Sequence, residues 1–71
     1  MYQQTIREIL ATQGNIGKYD PRHIEAYMRL EHSTLDNFSL AKFKREVALC
    51  AQCVDEGGRD AAERNARSFG L

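Results

Sequence analysis

The chain has 71 residues, its ten lysines and arginines balance ten aspartates and glutamates, and 42% of its residues are hydrophobic. That apolar content with balanced charge excludes intrinsic disorder, and no apolar run approaches the ~18–20 residues that cross a bilayer. A neutral chain also lacks the general electrostatic attraction that draws basic proteins to nucleic acid.

Tyr2, Ile6, Ile9, Leu10 and Gln13 recur at helical spacing and predict a first helix over about residues 2–13. Gly14 and Gly17 then stop it. Asp20-Pro21 starts a second helix: the aspartate caps free amides, and proline at the first helical position forfeits no hydrogen bond. This helix is predicted over about 21–32, with Ile24, Tyr27, Met28 and, a turn later, Leu35 on one side. Ser33 to Asn37 reads as a turn. Ser39 caps a third helix over about 40–56, with Phe38 and Phe43 spaced as a hydrophobic staple. Its inward stripe is Leu40, Phe43, Val47, Cys50, Ala51 and Val54. Gly57-Gly58 ends it, and a short fourth helix covers about 59–68 with Ala62, Ala66 and Phe69 inward. Asp60–Arg64 and Glu63–Arg67 are i,i+4 pairs in the favourable order. No strand signal, repeat or linker intervenes. The expected fold is a single all-α domain spanning residues 1–71, a compact bundle of three main helices plus a short C-terminal one.

Candidate chemistry is sparse. Gly14-Asn15-Ile16-Gly17-Lys18 lacks the spacing, the hydroxyl after the lysine and the preceding strand of a phosphate loop, and reads as a helix-terminating loop. Cys50 and Cys53 lie deep in a helix with Asp55 and Glu56 beyond, the reverse of the helix-start setting that activates a thiol. They read as structural cysteines, Cys50 buried and Cys53 on the flank. His23 and His32 are nine residues apart, an awkward reach for one metal shared with the cysteines. No nucleophile, base and orienting group come together, so the expectation is no enzyme, no cofactor and no metal. His23 is expected at the surface. Glu31 falls among apolar helix-2 positions, either snorkelling out or paired with an arginine.

Helix 3 carries charges opposed to its dipole: Lys42, Lys44 and Arg45 at its start, Asp55 and Glu56 at its end. Each costs about 0.3–1 kcal/mol if uncompensated. Compensation comes either from within, through Arg59 and Arg64 at one end and Asp36 at the other, or from a second copy lying antiparallel. Leu49 projects opposite the core stripe among Arg45, Gln52 and Glu56, an apolar anchor with a charged rim. Leu49, Lys42, Arg45, Gln52 and Glu56, with Leu30 on helix 2, form the candidate surface for a partner protein or a second copy. The alternative is nucleic-acid binding, with Lys42, Lys44, Arg45, Arg59, Arg64 and Arg67 as phosphate contacts, or helices 3 and 4 as a helix-turn-helix. Two cysteines, no basic-then-apolar leader and no bilayer-length run point to the cytoplasm and to no membrane.

Overall fold

The computed structural model describes residues 2–15, 17–32 and 34–71, so Ile16 and Ser33, assigned above to the first loop and the first turn, lie outside the described residues. Among these residues the chain is all-α: α1 (Gln3–Thr12), α2 (Pro21–Glu31), α3 (Leu40–Cys53), a π-helical turn (Val54–Gly58) and α4 (Arg59–Ser68). Its radius of gyration is 10.9 Å, close to the ~11 Å of a well-packed domain this size. No described helix is long and apolar enough to cross a membrane.

The termini form by the chemistry the sequence offers. Asp20 accepts from the Arg22 amide at 3.0 Å, and Ser39 accepts from Lys42 N–H at 3.2 Å. Phe38 and Phe43 meet edge to face, ring centres 6.3 Å apart. At the end of α1, Gly14 takes φ +76°, its N–H reaches Ala11 O, and Asn15 N–H reaches Leu10 O. That is a Schellman motif, and its left-handed residue suits glycine. The same hydrogen-bond pattern closes α4, from Gly70 to Arg67 and from Leu71 to Ala66.

The central helix is α2, which packs against α1, α3 and α4. The core is Ile6, Ile9 and Leu10 of α1, Ile24 and Met28 of α2, Leu35, the α3 stripe from Phe43 through Val54, and Ala62 of α4. The alanines at 62 and 66 let α4 approach α2 closely. Tyr27 spans the same region and donates its hydroxyl to Gly58 O at 3.0 Å.

Several expectations are corrected. Leu40 is 62% exposed rather than in the core. It is the first residue of α3, and Tyr2, Phe38 and Phe43 already fill that end of the bundle. Phe69 is 40% exposed; the turn-back of the C-terminal motif carries Leu71, not Phe69, toward Ala66. The α-helical part of α3 stops at Cys53, three residues early. The chain widens into a π turn and breaks where Glu56 has ψ 25° and Gly57 has φ +98°. Glu63–Arg67 forms at 2.5 Å, whereas Asp60 and Arg64 make no ion pair among the described residues. Glu31, at the last turn of α2, is exposed, in line with the snorkelling alternative; the fully buried carboxylate is Glu25, which the sequence reading passed over. Arg29 Nε lies 3.0 Å from Glu25 Oε2, an i,i+4 pair in the favourable order that could have marked it. Burial of three successive residues, Ile24, Glu25 and Ala26, follows from α2 having neighbours on more than one side.

Candidate functional site

Along α3 and into the π turn that follows it, Phe43, Val47, Cys50, Ala51 and Val54 point into the core, while Lys42, Arg45, Leu49, Gln52 and Glu56 are exposed. The exposed set follows a 3-4-3-4 spacing, the seam along which two helices pack. Leu49 stands at its centre, 50% exposed. Arg45 makes no ion pair among the described residues. Lys42 folds back so that its ammonium lies 4.6 Å from the centre of the Phe38 ring. At the other end Gln52 donates to Glu56 at 3.1 Å, holding that carboxylate on the ridge. Leu30 is the corresponding exposed apolar residue of α2.

The internal compensation expected for the ends of α3 takes other partners. Asp55 accepts from the Tyr19 hydroxyl and lies 3.8 Å from Lys18 Nζ, not from Arg59 or Arg64. That hydrogen bond, with some burial, raises the Tyr19 pKa. Asp36 accepts from the Tyr2 hydroxyl and forms no ion pair with the basic start of α3 among the described residues. Glu56 and the cations Lys44 and Arg45 are left without an ion pair within the described chain.

The candidate phosphate contacts do not converge. Lys42, Lys44 and Arg45 begin α3, whereas Arg59, Arg64 and Arg67 lie on α4 with Asp60 and Glu63 interleaved. Arg67 is already paired with Glu63. Because α4 packs on α2 and is joined to α3 through a wide π turn, α3 and α4 lack the mutual packing of a helix-turn-helix.

Both cysteines are free, Cys50 buried and Cys53 exposed. Burial pushes the Cys50 thiol up to about 12, with smaller contributions from Glu31, Cys53 and Glu46. Asp55 and Glu56, the acids suspected from the sequence, are not among the causes. Tyr27 is raised by burial and by the neighbouring Cys53 and Cys50. His23 is half-buried rather than at the surface, its Nε2 4.0 Å from Asp20 Oδ2. Asp20 itself is held below the usual carboxylate range, chiefly by the Arg22 guanidinium.

His32 does not join the cysteines. Its Nε2 lies 3.3 Å from Glu46 Oε2, its ring stands edge-on to Phe38, and Glu31 completes a three-residue cluster. Sequence reading missed Glu46; its place one turn before Cys50, on the flank facing α2, was the available signal. A cleft of about 410 Å³ is lined by Arg7, Leu10, Gly17, Tyr19 and Pro21, with no carboxylate, imidazole or thiol among these lining residues. Comparison with protein-family models, curated proteins and solved structures finds no match.

Proposed function

We propose that this protein is a non-enzymatic helical interaction module that pairs with a second copy of itself through the outer ridge of α3. One observation carries the reading. Lys42 and Glu56 each stand seven residues from Leu49, so a two-fold axis at Leu49 with antiparallel helices sets the basic end of one ridge against the acidic end of the other. Arg45 is offset from its partner's Glu56 by three residues, within reach of an arginine side chain. Leu49 then meets Leu49, the self-complementary contact a two-fold dimer requires. The charges unfavourable to the α3 dipole become interface partners, and zero net charge opposes no association. Two free cysteines fit a reducing, cytoplasmic setting.

One helix ridge is small beside the ~800 Å² per partner of a standard interface, so the expected dimer is micromolar and concentration-dependent. Sedimentation velocity from about 1 μM to 1 mM should show it. Leu49→Asp should give a folded monomer. Arg45→Glu should weaken the dimer, and Arg45→Glu with Glu56→Arg should restore it, because the double exchange preserves complementarity. A wild-type monomer throughout, or a dimer indifferent to Leu49→Asp, sinks the proposal. If a monomer binds duplex DNA, and that binding falls steeply with salt and in Lys44→Glu/Arg45→Glu, the basic segment takes over as the functional surface.

A further inference from the structure

We infer that Glu31, His32 and Glu46 form a divalent transition-metal site at the junction of α2 and α3, independent of the α3 ridge. One ligand atom from each lies within 4.8 Å of the other two. Two carboxylates and an imidazole form a donor set suited to zinc and its neighbours. The His32 Nε2 to Glu46 Oε2 distance is 3.3 Å. Two ligands bonded at ~2.0 Å to a tetrahedral ion stand about 3.3 Å apart, so this pair already has the required bite.

The surroundings favour a cation. The Glu46 side chain is only 15% exposed, and Glu31 brings a second carboxylate to the same place. No lysine or arginine makes an ion pair with either among the described residues. Lys42, one turn before Glu46, rests its ammonium 4.6 Å from the centre of the Phe38 ring. Two carboxylates so close repel unless a positive charge lies between them. The edge-on Phe38 contact, ring centres 4.8 Å apart, fixes the imidazole plane and leaves Nε2 facing the carboxylates. Glu31, exposed at the last turn of α2, already brings a carboxylate oxygen within 4.8 Å of the other two ligand atoms. The remaining position opens to solvent, giving three protein ligands plus water. The buried Cys50 thiol is not among the three ligand atoms that come together here.

Titration of the full-length protein with zinc by calorimetry, and with cobalt(II) by visible absorption, tests this. The expected result is one ion per chain with micromolar affinity and a nitrogen–oxygen cobalt spectrum without thiolate charge transfer. Glu31→Gln and Glu46→Gln, both near-isosteric, should each weaken binding at least tenfold, and His32→Ala should abolish it, while Cys53→Ser changes nothing. Circular dichroism of the glutamine variants separates loss of ligand from loss of fold. Absence of binding at about 1 mM metal overturns the inference. So does binding that survives both glutamine variants or that shows thiolate charge transfer.

Discussion

Replacing Gly58 with alanine is a sharp test of how α2 meets the α3–α4 junction. Gly58 has φ −84° and ψ 5°, a conformation open to any L residue. Gly→Ala at such a site ordinarily stabilises by about 0.4–1 kcal/mol, by restricting the unfolded chain. Here a Cβ would overlap the Tyr27 hydroxyl and stand 2.6 Å from the Cys53 carbonyl oxygen. Relieving that crowding costs about 1–3 kcal/mol. It also displaces the Tyr27 hydroxyl from Gly58 O, a hydrogen bond of roughly 0.5–1.5 kcal/mol. The net expectation is destabilisation by about 2–3 kcal/mol, or about 10–20 °C in Tm for a domain this small. Urea denaturation followed by circular dichroism should measure it in wild-type and Tyr27→Phe backgrounds. Without the hydroxyl the severest overlap and the hydrogen bond are gone, leaving the Cys53 oxygen and the Tyr27 ring carbon at 2.8 Å, so the alanine should cost about 1 kcal/mol less. An alanine variant as stable as wild type, or equally costly in both backgrounds, would refute the packing described.

The thiols should differ in reactivity: a disulfide reagent should modify Cys53 in the native protein and Cys50 only after denaturation. The Cys50 thiol is raised from 9.0 to about 12 by folding. Its contribution is therefore fully present below pH 9 and is lost as pH rises toward 12, at up to ~1.4 kcal/mol per pH unit. Cys50→Ala should flatten the alkaline limb of the stability profile; an identical limb in the variant would rule out this source. Asp20→Ala should cost about 1 kcal/mol through loss of the α2 cap. Because Arg22 depresses the aspartate pKa below 3.8, that difference should hold at neutral pH and shrink as pH falls below about 4, and a constant difference would argue against the capping role.

Helix positions were legible because apolar spacing, Asp20-Pro21 and the Phe38-Ser39 staple are local signals. Cys50 in the core, Cys53 at its edge and Leu49 on the outer face followed from the period of α3 alone. What escaped depended on which helices are neighbours. Periodicity marks Glu31 as inward, but at the last turn of α2 it is exposed, whereas Glu25 is enclosed because α2 is surrounded. Leu40 and Phe69 misled for the same reason: a terminal residue in phase with a core stripe still projects past the core. The partners of Asp55, Lys18 and Tyr19, come from a loop 36 residues away in the case of the tyrosine, beyond any i,i+4 rule. The Glu31–His32–Glu46 cluster likewise exists only once α2 and α3 are side by side.

The π turn between α3 and α4 bears on how this sequence can drift. Surface connections usually absorb insertions and deletions without harm. Here the segment Val54–Gly58 sets the direction in which α4 leaves, and the residues α4 buries are two alanines, Ala62 and Ala66. Adding or removing one residue within a helix rotates everything downstream by about 100°. A length change in this turn would swing Ala62 and Ala66 off α2 and bring Glu63 or Arg64 toward it. Replacing Asp55 gives up an exposed hydrogen bond from Tyr19 and an ion pair with Lys18, a smaller loss than the α2–α4 packing that a length change removes. The junction is a spacer of fixed count, and descendants of this chain should vary in letters there before they vary in number.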